Sequence, residues 1–150
     1  WEAKLCQKIG LTDRQATLHG SFTPVIRKPV FRLPCGKSIL GLGDSVILND
    51  PIGGQGANIA CQAASFYLEK IKAHQNLLFT ETWMHETFEL YWQQIAQWAV
   101  QWTNLLLNPS ETLITLLKVA STQANMADQL ADGFDNPAKL LSTSDHFKLK

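Results

Sequence analysis

The chain has 150 residues, 45% of them hydrophobic and 17% charged, which provides a core for one folded domain and argues against long disorder. Thirteen basic residues balance thirteen acidic ones, so composition gives no electrostatic case for nucleic acid or an anionic membrane surface. No apolar run approaches the roughly 20 residues that span a bilayer. Position 1 is Trp rather than Met and no signal-peptide pattern follows, so the expectation is a carboxy-terminal piece of a longer, cytoplasmic protein.

In chain order, residues 2–9 read as a short helix and the stretch up to Thr23 as a loop. The run 25–33 is rich in β-branched residues, but Pro29 cannot donate to a ladder, so an edge or irregular strand is expected there. Residues 34–37 form a tight turn leading into a short apolar strand of the buried kind at 38–43. From 55 to 71, Ile59, Ala60, Ala63, Ala64, Tyr67, Leu68 and Ile71 recur at a helical period, with an alanine-rich face suited to close packing on a sheet. A longer helix follows at 80–107. Thr80 is its N-cap, and Met84, Phe88, Trp92, Ile95, Trp98, Trp102 and Leu105 follow at steps of three and four. Asn108, Pro109 and Glu111 read as the cap, first and third positions of another helix, and Asn136-Pro137 repeats the cap-then-proline signal for a short last one. The expected fold class is α+β and mostly helical, a short β portion followed by a helical tail.

Most residues that invite a functional reading have a plainer one. His19, His74, His85 and His146 lack metal-ligand spacing and read as surface or capping residues, so no metal is assigned. Cys6, Cys35 and Cys61 form no C-x-x-C pair, which fits reduced thiols; Cys61 is expected as a small buried residue facing the sheet. Trp92, Trp98 and Trp102 fit core packing or a subunit contact better than ligand stacking, which leaves a homodimer open. Phe22 and Phe31 suit ordinary packing rather than a pocket border. Arg27, Lys28, Arg32 and Lys37 could meet phosphates, although a solvated strand edge is the usual explanation. Asn49 and Asp50 most simply build the turn before Pro51, with a supporting role behind the site's contact residues left open.

The chemistry is concentrated in residues 41–58. Asp44, read as lying at the carboxyl end of a strand, can accept hydrogen bonds from ligand hydroxyls. Some ten residues later a turn containing Gly53, Gly54 and Gly56 opens a helix near Gln55. Glycines let a ligand approach the backbone, and unpaired N–H groups at the helix start favour a group that is or becomes negative.

The order Gly43-Asp44, six residues, Pro51-x-x-Gly54-x-Gly56-x-Asn58 resembles the second flavin fingerprint of single-domain flavoprotein monooxygenases. It is most similar to the oxygenase component of styrene and indole monooxygenases, and the motif-level resemblance extends over residues 19–71. It implies a glutathione-reductase-like FAD-binding fold, with residues 1–75 its carboxy-terminal half and 76–150 a helical carboxy-terminal region. It also implies that Asp44 bonds the ribityl chain, that Pro51 lies beside the isoalloxazine ring, and that Gly54, Gly56, Ala57 and Asn58 face the ring's pyrimidine end. Val46 stands where many relatives have histidine, which argues against a hydroxylase of phenolic acids. Such enzymes use reduced FAD from a separate NADH-dependent flavin reductase, together with O₂, to oxygenate a small apolar aromatic or alkene substrate. No catalytic acid or base is implied.

The G-x-G-x-x-G segment that would hold the ADP half is missing from the sequence, as is most of a substrate-binding sheet, so the chain alone is expected to bind FAD poorly. Two alternatives stay open. One is another FAD-dependent oxidoreductase or halogenase of the same fold; the other is a non-catalytic helical interaction module using the Trp92–Trp102 face.

Overall fold

The computed structural model describes residues 23–75 and 77–143. The expected helix at 2–9, most of the loop after it, and the readings of Cys6, His19, Phe22 and His146 lie outside the described residues. Four short strands form two antiparallel ribbons. Strand β1 (Val25–Ile26) pairs with β4 (Ile47–Leu48), and β2 (Val30–Arg32) pairs with β3 (Ser38–Leu40), with Phe31 opposite Ile39. Pro29 falls in the gap between β1 and β2, where no ladder donor is needed, and its carbonyl accepts from the Gly41 N–H at 2.7 Å. The layout is α+β and mostly helical, as the patterning predicts.

The strand expected at 38–43 is shorter and more exposed than its apolar composition suggests. It ends at Leu40, and Ile39 is 47% exposed. Among the described residues its ladder has one partner, β2. Strand β4 had no separate signal in the sequence.

Helix α1 spans Gly56–Ala73, α2 Glu81–Tyr91 and α3 Gln97–Leu107, with a π-helical turn, Trp92–Ala96, joining the last two. Helix α4 (Glu111–Ala120), α5 (Ala124–Asp135) and α6 (Pro137–Thr143) complete the tail. Thr80 caps α2 as expected, accepting from the Trp83 N–H at 3.1 Å. Asn136 caps α6 in the same way, accepting from the Lys139 N–H with Pro137 at the first position. The cap of α4 is Ser110 rather than Asn108, because Asn108 is already engaged as the C-cap of α3, its N–H bonded to the Asn104 carbonyl. Between α4 and α5, Ser121 and Thr122 turn their hydroxyls back onto the Lys118 and Val119 carbonyls, a local alternative to continuing the helix.

The long apolar stripe expected at 80–107 serves two cores. Phe88, Tyr91, Ala96 and Ala99 pack with Ile59, Ala63 and Tyr67 of α1 and with Val46 and Ile47. Trp102 and Leu105 pack instead with Leu113 of α4 and Leu141 of α6. The π turn, closed by the Gln97 N–H on the Trp92 carbonyl, accommodates one extra residue and so rotates the later stripe by about 100° relative to the earlier one. Trp102 is fully buried while Trp92 and Trp98 are half-buried against the two clusters, so the tryptophans are packing residues. Among the described residues no helix is long and apolar enough to cross a membrane.

Helix α1 is tied to α2 by the Tyr91 hydroxyl, which donates to the Ile59 carbonyl at 2.7 Å, and by the edge-on Tyr67–Tyr91 ring pair at 5.7 Å. Burial pushes the Tyr67 phenol up to about 12, and burial followed by the neighbouring Tyr67 raises Tyr91 as well. A folded-state value above the ordinary phenol value near 10 adds stability that is complete below that pH and lost as pH rises through about 12. Urea unfolding midpoints are therefore expected to stay level between about pH 7 and 9 and to fall above about pH 10. Tyr67→Phe should flatten part of that fall; an unchanged alkaline profile in the variant would contradict the linkage.

Candidate functional site

Between residues 42–44, residues 48–54 and the amino end of α1 lies a concavity of about 830 Å³, in the usual size range for a ligand site. Asp44, Pro51, Gly54, Gly56 and Ala57 line it, with Leu48 and Asn49 beside them. Of the six positions that the flavin resemblance assigns, five line the wall and Asn58 is outside it, exposed on the first turn of α1.

Asp44 is not at a strand end, as the sequence suggested. It sits in a 3-10 turn, Gly43–Ser45, beyond β3. Ser45 Oγ braces that turn by accepting from the Leu42 N–H at 3.0 Å and donating to the Leu42 carbonyl at 2.7 Å. The guanidinium of Arg27 donates to the Asp44 carbonyl at 2.9 Å. Arg27 thus holds the backbone under Asp44 and leaves the exposed carboxylate clear. Arg32 lies 3.9 Å from Glu81, and none of Arg27, Lys28, Arg32 and Lys37 lines the concavity. Phe31 is 63% exposed and lies outside it too, so it follows neither the packing nor the pocket reading.

The second wall is a 3-10 turn, Pro51–Gly53, that hands the chain to α1. Asp50 caps it, accepting from the Ile52 N–H at 2.9 Å, as its turn-building role requires. Gly54 closes it with φ of 62°, a left-handed conformation that costs other residues roughly 1 kcal/mol or more. Gly53 rests on α3: a Cβ there would stand 2.6 Å from Thr103 Oγ1, whose position is fixed by its bond to the Ala99 carbonyl.

Gly56 is different. Its φ is not left-handed, and a Cβ there would meet nothing within 4 Å among the described residues. Glycine in a helix is disfavoured by up to about 1 kcal/mol relative to alanine, so neither backbone nor packing accounts for it. It keeps the concavity open against the helix terminus. The first helical bond of α1 runs from the Ile59 N–H to the Gln55 carbonyl, and the Gln55 side chain does not cap. The N–H groups of Gly56, Ala57 and Asn58 therefore lack acceptors among the described residues, at the positive end of an 18-residue helix.

Asn49, expected chiefly as a turn former, takes a larger part in the site. It is only 8% exposed, lines the concavity, and its Nδ2 is buried without a partner among the described residues, which costs about 1–3 kcal/mol if nothing satisfies it. Its setting between Leu48 and Asp50-Pro51 looked like ordinary turn chemistry, and only the fold shows the burial. Cys61 is corrected in the opposite sense. It is exposed, because two residues along a helix rotate the side chain about 200° from the buried Ile59. Among the described residues no cluster of three or more His, Cys, Asp or Glu could hold a metal ion.

Two glycine variants separate the roles of this turn. Gly53→Ala is expected to lower stability by about 1–3 kcal/mol through overpacking against Thr103. Gly56→Ala should leave the urea midpoint unchanged or raise it slightly. Equal losses in the two variants would contradict the geometry.

No protein-family profile matches the chain. It is 35% identical, over 81% of its length, to the styrene monooxygenase StyA of Pseudomonas fluorescens. The same identity and coverage relate it to a StyA from another Pseudomonas species. The chain spans about 30% of the length of these curated relatives. The similarity seen in the glycine-rich stretch is thus a likeness to styrene monooxygenase that covers most of the chain. It reaches well into the helical tail, beyond the residues 19–71 in which a motif is legible.

Proposed function

We propose that residues 41–58 form the ring-facing half of an FAD site in the carboxy-terminal part of a two-component, styrene-type monooxygenase. On this reading the segment 1–75 is the carboxy-terminal half of a glutathione-reductase-like FAD-binding domain, and 76–150 is its helical extension. Gly56 carries the reading: it has no conformational or packing reason to be glycine, and it lies where unbonded helix N–H groups meet the concavity. A planar, electron-rich ring edge brought against that backbone fits both facts. The likeness to the two Pseudomonas styrene monooxygenases supports it independently.

The roles follow from the donor set. The Asp44 carboxylate accepts from the hydroxyls of the ribityl chain, with Arg27 steadying the backbone beneath it. The N–H groups of Gly56, Ala57 and Asn58 donate to the pyrimidine edge and favour negative charge there. Pro51 and Leu48 supply apolar wall, which keeps water from the place where oxygen and an apolar substrate meet. Asn49 offers a side-chain amide to a polar atom of the same ligand. Bound reduced FAD, delivered by an NADH-dependent reductase in the cytoplasm, supplies the chemistry that activates O₂ for transfer of one oxygen atom to a styrene- or indole-like double bond. No side chain here is given an acid–base role.

The test is an anaerobic titration of reduced FAD into the complete polypeptide that contains this segment, followed by ¹⁸O₂ with styrene or indole. Binding is expected, with one labelled oxygen in the product. Asp44→Ala and Gly56→Ala should each weaken flavin affinity at least about tenfold, as expected when a charge-assisted bond is lost or a Cβ intrudes. Absence of flavin binding by the unaltered polypeptide would end the proposal.

A further inference from the structure

Gln55 heads α1, yet its side chain turns away from the terminus it would ordinarily cap. It is 4% exposed, and its Nε2 donates to the Phe134 carbonyl at 2.6 Å, across 79 residues of sequence. Phe134 stands in the last turn of α5, where a helix leaves carbonyls without intrahelical donors, so Gln55 caps the far end of the tail. The Phe134 ring packs edge-on against Trp102, with centroids 4.9 Å apart, and Trp102 is fully buried in α3. The next residue, Thr103, is the one that supports Gly53. Gly133 lies so close to Leu140 that a Cβ would come within 2.8 Å of its side chain, which sets α6 against α5. The glycine-rich turn is therefore gripped at both ends by one assembly: Thr103 under Gly53, and the α5 carboxyl end on Gln55.

Resting on the FAD reading above, we propose that Gln55 is a positioning residue and that α5 and α6 form a brace for the flavin turn. The tail contributes no group to the concavity. It fixes Gln55, and with it the line along which the N–H groups of residues 56–58 point. Such coupling is reciprocal, so a ligand held by those N–H groups also steadies the carboxyl end of α5.

Hydrogen–deuterium exchange on the complete polypeptide reads the brace without reference to flavin. Gln55→Leu, which removes the donor, is expected to speed exchange roughly tenfold both at the hydrogen-bonded amides of Gly54 and Ile59 and in residues 130–136. Residues 87–91 of α2 should stay at wild-type rates. Gln55→Glu provides a second reading, because a carboxylate cannot donate to the Phe134 carbonyl whereas the protonated acid can. Its excess exchange over wild type at the same pH should shrink as the pH is lowered and the acid protonates. Reduced-FAD affinity should fall roughly tenfold in Gln55→Leu, in step with the exchange. Faster exchange in the turn alone, or in neither segment, would overturn the brace. So would loss of protection in residues 87–91 in both variants, since Gln55 would then be a general core residue. Coupled exchange in a polypeptide that binds no flavin would leave the brace standing and remove the FAD reading instead.

Discussion

Gly53 lies with its backbone directly on Thr103, and that contact decides where α1 begins. Thr103 cannot give way, because its hydroxyl is spent on the Ala99 carbonyl and its side chain is fully buried. The turn ahead of the helix must therefore be glycine at the contact, left-handed at Gly54, and capped by Asp50 on its outer side. From the opposite flank, the Tyr91 hydroxyl on the Ile59 carbonyl holds the first turns of α1 against α2. A helix end gripped in this way can leave its first N–H groups unbonded without fraying, which a free terminus could not.

The division of the core follows from the same need. A straight helix over 80–107 would present one stripe to one neighbour. The π turn at Trp92–Ala96 lets the first half hold α1 while the second half supports Gly53 and receives α4 and α6. Trp102 and Thr103 are adjacent in the chain and face different tasks. The indole anchors Phe134 of the tail, and the hydroxyl-bearing side chain anchors the turn.

Around the concavity, charge is sparse and geometry carries most of the selectivity. Asp44 presents one carboxylate, steadied through its backbone by Arg27, and the helix terminus presents partial positive charge some residues away. None of Arg27, Lys28, Arg32 and Lys37 lines the concavity. On the proposed flavin reading, that arrangement suits the ring and polyol portion better than the pyrophosphate.

The sequence alone determined the α+β, mostly helical layout, because helical periodicity and the Thr80 and Asn136-Pro137 caps are local signals. It also marked residues 41–58 as the stretch to examine, since Gly-rich turns at helix starts leave a local trace. Burial and partnership were decided by the tertiary structure, because they depend on which distant surface arrives. Cys61 turned outward, the strand ending at Leu40 stayed exposed in a two-stranded ribbon, and Asn108 was claimed by α3 so that Ser110 capped α4. Asn49 read as a turn residue and Gln55 as the start of a helix, because nothing beside them in the chain reveals a buried amide or a carbonyl 79 residues away. Spacing records what a helix can bond to itself; only the packed molecule records what else comes within hydrogen-bonding reach.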